Sequence, residues 1–150
     1  MKLEFREDIA APKARVLEAV TDMERFERTL RDWGVAVERS GEGPLAPGAV
    51  WTAHPEWQGR RFDLTATLLT LGEDGWTTEC HAAGLIGLIV CDLVELGPSR
   101  TRLYLGVETR ATSIGGRVLL GSLTLAQGGI ERRVGERLSR FAQSIGGEAA

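Results

Sequence analysis

The chain has 150 residues, 43% of them apolar and 26% charged, with a formal net charge of −3. A chain of that length buries roughly 70% of its unfolded surface, enough for a core without metal or disulfides, and implies one domain over residues 1–150. Acidic and basic residues are interspersed rather than gathered into a basic stripe, which argues against nucleic-acid binding. The N-terminal residues are too charged for a signal peptide, and no apolar run approaches the ~18 residues of a membrane span. Two cysteines, Cys80 and Cys91, are too few for a disulfide framework, so a reducing, cytoplasmic location is the expectation.

Leu3, Phe5 and Ile9 alternate with Glu4, Arg6 and Asp8, the pattern of a half-buried strand. Ala11-Pro12 ends it, and Pro12 suits the first position of a helix. Val16, Leu17, Val20, Met23, Phe26, Leu30 and Trp33 recur at helical spacing, with Thr21 and Glu24 forming a capping-box pair. Two short helices, about 13–20 and 22–32, are expected, with Gly34 as the stop.

From Val35 to Thr112 the period is two, and the turns are explicit. Gln58-Gly59 and Ala83-Gly84 suit two-residue hairpins. Glu73-Asp74-Gly75 suits a three-residue loop with a left-handed glycine, and Gly97-Pro98-Ser99 marks the last reversal. Pairing about Gln58-Gly59 sets Trp57 against Arg60, Glu56 against Arg61, His54 against Asp63 and Thr52 against Thr65. The last three are complementary outer-face pairs, each of a kind worth ~0.2–1 kcal/mol. Pro55 donates no ladder hydrogen bond, so its strand lies at an edge or breaks there.

A terminal helix is expected from about Ser113 to Ile145, with the stripe Leu119, Leu123, Ala126, Ile130, Val134, Leu138, Phe141 and Ile145. Gly115, Gly116, Gly121, Gly128, Gly129 and Gly135 precede or interrupt it, each interior one costing about 1 kcal/mol relative to alanine. Either the helix approaches the sheet closely, or it bends to admit a ligand.

The motif Ile9-Ala10-Ala11-Pro12, then Val16, Val20-Thr21-Asp22 and Phe26, resembles the START-like (SRPBCC) superfamily, as does the element order of the whole chain. That group includes polyketide cyclase/dehydratase-like and lipid-transfer-like proteins and the birch-pollen allergen. The resemblance implies an α+β helix-grip fold. A curved antiparallel sheet of about six to seven strands would wrap a long C-terminal helix, with two short helices after strand 1 and an apolar cavity between the layers. It assigns no catalytic residue.

Chemistry-bearing groupings are few. Cys80 and His81 are neighbours on a strand and point to opposite faces, so they cannot chelate together. No nucleophile motif, paired inward carboxylates or phosphate loop is present, and neither metal nor cofactor is implied. The inner face offers a cavity wall instead: Trp51, Trp57, Phe62, Leu64, Ala66, Trp76, Thr78, Cys80, Ile89, Cys91, Leu105 and Thr109, faced by Ser122, Ala126 and Ile130 from the helix. Thr78, Thr109, Ser122 and Gln127 would orient a ligand. Trp76 opposite Cys91 and Cys80 opposite Gly87 also suit a plain core in which large fills small.

The reading is binding or transport of a small hydrophobic ligand, lipid-, polyketide- or quinone-like. An aromatase/cyclase- or dehydratase-type enzyme is the alternative. It requires an ionisable group in the cavity, and only Cys80, Cys91 and Arg60 at the rim qualify. A third reading is an interaction module. Ile86, Leu88 and Val90, with Leu69, Leu71 and Tyr104, fall on the outer face and suit a homodimer or partner surface.

Overall fold

In the computed structural model, which describes residues 1–149, the first strand β1 (Lys2–Ile9) leads through Ala11-Pro12 into α1 (Lys13–Val20) and α2 (Met23–Asp32). The cap of α2 differs from the expected capping box. Thr21 still closes α1, its hydroxyl donating back to the Leu17 carbonyl at 2.7 Å. The carboxylate of Asp22, one residue on, therefore accepts from the Arg25 backbone N–H at 3.1 Å.

Seven strands form one antiparallel sheet in the order β1-β9-β8-β7-β6-β3-β2. They are β1, β2 (Val37–Ser40), β3 (Val50–Ala53), β6 (Leu64–Gly72), β7 (Gly75–Ala82), β8 (Leu85–Gly97) and β9 (Arg100–Ala111). The short β4 (Glu56–Trp57) and β5 (Arg60–Arg61) form a separate ribbon projecting from β3 and β6. The register inferred from Gln58-Gly59 is observed at each position: Glu56 with Arg61, Trp57 with Arg60, and Thr52 with Thr65. His54 Nδ1 lies 2.8 Å from Asp63 Oδ1. Pro55 falls at the break between β3 and β4, its carbonyl accepting from Phe62 N–H at 2.8 Å.

The Ala83-Gly84 turn has positive φ at both residues, 48° and 78°, and sets Trp76 opposite Cys91 and Cys80 opposite Gly87. The preceding turn differs from expectation. Gly72 pairs with Gly75, so the loop is the two residues Glu73-Asp74, and the register slips between Leu68 and Thr70. This bulge leaves Leu69 42% exposed and turns Leu71 inward, opposite Trp76, where strict alternation had placed it outward.

The terminal helix is two helices, α3 (Ile114–Leu125) and α4 (Gln127–Ala149), with Ala126 as the C-cap of the first. Gly128 and Gly129 just beyond the break weaken the ladder there. The Gln127 amide is drawn off to the Lys2 carbonyl and to Glu131, at 3.2 and 2.9 Å. Gly116 meets the close-approach reading: a Cβ on it would stand 2.0 Å from the Gly84 carbonyl oxygen. Gly121, Gly128 and Gly135 face open space.

The packed core occupies one end of the layered structure. Ile9, Ala11, Val16, Ala19, Cys91, Leu93, Leu103, Ala142 and Ile145 cluster there, joining β1, α1 and the second half of α4 to the sheet. Thr101 is fully buried among them, its hydroxyl donating to the Ala11 carbonyl at 2.8 Å. Among the described residues no helix is long and apolar enough to cross a membrane.

Candidate ligand-binding trough

Toward α3 the filling is thinner. One inner row crosses the sheet as Arg39, Trp51, Ala66, Cys80, Gly87 and Thr109, each paired with the next. The adjacent row runs Leu68, Thr78, Ile89, Val107 and Leu3. Ala66, Cys80 and Gly87 are small, so the first row is shallow beside the Trp51 indole. Ala66, Thr78, Cys80, Ile89, Val107 and Thr109 are only half-buried although they face the helical layer. On the opposite side Leu119, Leu120, Ser122, Leu123, Ala126 and Ile130 are half-buried too. Trp51, Leu68 and Leu3 in these two rows are buried, so the looser filling is confined to the half-buried positions between them, whereas the Ile9–Ile145 end is closed throughout. This less tightly filled stretch of the inner face, mostly apolar, is the candidate trough.

Two contacts hold its rims. α3 starts on the β7–β8 turn, where Thr112 donates to the Gly84 carbonyl from both N–H (2.7 Å) and hydroxyl (3.1 Å). Ser113 caps α3 by accepting from Gly116 N–H at 2.9 Å. On the other side the β4–β5 ribbon touches α3. Trp57 Nε1–H donates to Ser122 Oγ, and Ser122 Oγ–H donates to Gln58 Oε1, both at 3.3 Å. Arg60 stacks over the Phe62 ring at 5.0 Å, also on this ribbon side.

The expected wall residues thus divide four ways, with Trp51 buried beside Ala66 on the sheet side. Ala66, Thr78, Cys80, Ile89 and Thr109 lie half-buried on the inner face at the candidate trough, with Leu64 half-buried on the same face. Trp57 and Phe62 belong to the ribbon side, and Ser122, Ala126 and Ile130 to the helical side. Trp76, Cys91 and Leu105 stand at the closed end, where Trp76 Nε1–H donates to the Val20 carbonyl at 3.1 Å. Gln127 points to the β1 backbone instead of the interior.

Two residues escaped the sequence reading. Arg39 pairs with Trp51 and so shares its face, and Glu7 pairs with Leu103 on the inner face of β1. The alternation Val35, Val37 already points to Arg39, and Leu3, Phe5 to Glu7. Residue type, not period, led the reading past them.

Burial, with Glu79 adding a smaller push, raises the Cys80 thiol to about 11. Burial and Asp92 raise Cys91 to about 12, so both thiols stay protonated near neutrality. His54 with Asp63 and His81 with Glu79 form outer-face pairs at 2.8 and 2.6 Å. Among the described residues no three His, Cys, Asp or Glu side chains gather as metal ligands do.

The outer face carries relief of its own. Leu88 is 37% exposed, and Ile86 and Val90 are half-buried. Two open grooves of about 370 and 120 Å³ adjoin Leu88, walled by Lys2, Glu79, Glu108 and Arg110 in the larger. These grooves have a sheet floor but no covering layer. α3 also shows an exposed apolar stripe, Ile114, Val118 and Leu125, at 82%, 72% and 93%.

Comparison with solved structures bears on the architecture. The chain superimposes on the Zhui aromatase/cyclase from Streptomyces sp. R1128 with a TM-score of 0.68 at 19% identity, covering 99% of this chain and 93% of that one. A START superfamily protein from Mycobacterium smegmatis gives 0.57 at 16%, covering 99% and 96%. A norcoclaurine synthase point mutant from Thalictrum flavum, in complex with a transition-state analogue, gives 0.69 at 8%, covering 100% and 96%. The fold is START-like. No family model and no curated protein matches the sequence. A shared fold does not fix a site or an occupant, which are argued from this chain's own residues.

Proposed function

We propose that this START-like domain binds or carries a small hydrophobic molecule, lipid-, polyketide- or quinone-like, in the trough. One observation carries the reading: Ala66, Thr78, Cys80, Gly87 and Ile89 stay half-buried on the inner face, whereas Cys91, Leu93 and Leu103 further toward α1 are buried. Burial of apolar ligand surface would drive binding at roughly 25 cal/mol per Å². Two free thiols in a folded interior suit a reducing compartment, and we place the protein in the cytoplasm.

The aromatase/cyclase alternative needs a group that exchanges a proton near neutral pH. The trough floor presents Arg39 and Cys80. A guanidinium keeps its proton, and this thiol holds its own up to about 11. That supports binding over acid–base catalysis. Self-association through Ile86, Leu88 and Val90 is a separate proposal.

The test uses cis-parinaric acid, whose fluorescence rises in apolar surroundings. The wild type should bind it stoichiometrically. Gly87→Ala should leave binding intact, because a Cβ there would sit 3.7 Å from Thr109 Oγ1 and 3.9 Å from Cys80 Cβ, ordinary contact distances. Gly87→Leu should lower affinity at least tenfold with the unfolding midpoint preserved. Equal binding by Gly87→Leu would reject the trough as the site.

A further inference from the structure

The helix α3 is apolar on two sides. Leu119, Leu120 and Leu123 are half-buried toward the sheet. Ile114, Val118 and Leu125 point the other way and are, among the described residues, the three most exposed large apolar side chains. Gly121 is exposed between them, and no atom lies within 4 Å of a Cβ placed on it. Steps of four, three and four residues set Ile114, Val118, Gly121 and Leu125 in one row along the helix. A helix that is apolar all round belongs inside something. Among the described residues, α3 has the sheet on one side and no covering layer on the other.

From this row we infer that α3 docks on the surface of an anionic lipid bilayer, lying in the interface with Ile114, Val118 and Leu125 among the acyl chains. Two observations favour a bilayer over a protein partner. The first is charge. From Thr109 to Ile130 there is no Asp or Glu, although the chain has 21, and the charged residues of that stretch, Arg110 and Arg117, are both exposed. On the ribbon that touches α3, Arg60 and Arg61 are exposed as well, the second paired with Glu56. In a chain of net charge −3 this side is locally basic, which suits anionic headgroups. The second is area. The 12 residues of α3 span about 18 Å, and a strip of that length and helix width is about 180 Å². A stable protein interface takes about 800 Å² from each partner. A bilayer offers no fixed shape to match, and a few apolar side chains entering it gain burial directly. The inference stands on the outer side of α3 and is independent of what the trough holds.

Vesicle co-sedimentation tests it, with an equimolar mixture of phosphatidylcholine and phosphatidylglycerol against phosphatidylcholine alone. The wild type should pellet with the mixed vesicles and much less with the neutral ones. Val118→Glu/Leu125→Glu should weaken that binding at least tenfold, because each side chain gives up about 1.5–3 kcal/mol of burial. Both positions are exposed, so the urea midpoint should hold. Val118→Ser/Leu125→Ser repeats the test without added charge and should lose binding in the same direction. Arg117→Gln should weaken binding to the mixed vesicles about fivefold and leave the neutral ones unchanged. Leu88→Glu, on the outer sheet face, should bind as the wild type does. Wild type that pellets with neither vesicle, or α3 variants that pellet as well as the wild type, would overturn the inference. So would loss of binding by Leu88→Glu alone, which would move the contact to the sheet, and so would equal binding to both vesicles. Sedimentation without lipid covers the remaining occupant: self-association abolished by the α3 substitutions would assign the row to a second copy of the chain and overturn the bilayer.

Discussion

One chemical change, glycine to alanine, should have opposite signs at two positions of the terminal helices. At Gly116 the added Cβ would stand 2.0 Å from the Gly84 carbonyl oxygen and 2.7 Å from its carbon. Both partners are backbone, so neither can swing aside. The helix start must lift off the β7–β8 turn, straining the two Thr112 bonds to that same carbonyl. Overpacking costs about 1–3 kcal/mol and each of the two weakened hydrogen bonds about 1 kcal/mol, so Gly116→Ala should cost about 3–5 kcal/mol. At Gly128 nothing lies within 4 Å of the added carbon and φ is not positive. There the helical preference of alanine acts alone, and Gly128→Ala should gain about 0.5–1 kcal/mol. Urea unfolding followed by circular dichroism reads both, and a thermal scan should show about 2–4 °C per kcal/mol for a chain of this size. Two destabilising changes of equal size would refute the claim that only the first glycine marks a close approach.

Other outcomes follow from the same geometry. Asp22→Ala should lose about 1 kcal/mol of stability by removing the α2 cap, whereas Thr21→Ala should cost less; urea midpoints compare them. Stability should decline as pH rises above about 9. The unfolded thiols ionise there while Cys80 and Cys91 hold their protons to about 11 and 12, so the folded state binds more protons across that window. Cys91→Ala should flatten the decline in a pH series of unfolding curves, and an unchanged slope would count against burial as its cause. Ser122→Ala should free the β4–β5 ribbon from α3, seen as faster amide exchange at 56–61 with the core unchanged. Sedimentation at high micromolar concentration tests the outer face: a clean monomer rejects pairing through Leu88.

The parts of the fold legible in sequence were those with local causes. The Gln58-Gly59 and Ala83-Gly84 turns demand positive φ, and once each turn is placed the register follows by counting. The bulge at Leu69 has no such marker, because nothing in Leu68-Leu69-Thr70-Leu71 distinguishes a slip from continued alternation. Its effect reaches Leu71, which it turns inward. The break at Ala126 was half-visible: the glycines signalled weakness, but the helical stripe runs through the break and conceals where it falls. In the trough, the small residues were found because they alternate with large ones across predicted pairs. Arg39 was passed over because a charged side chain on an inner face contradicts the usual partition, although its strand position was plain.

The central claim is that a ligand lies between the sheet and the terminal helices rather than on the outer face. Intermolecular nuclear Overhauser effects from bound cis-parinaric acid to assigned methyl groups test it directly. The account predicts contacts to Ala66, Ile89 and Val107, which share the inner face. Contacts confined to Ile86, Leu88 and Val90, beside the outer grooves, would contradict it.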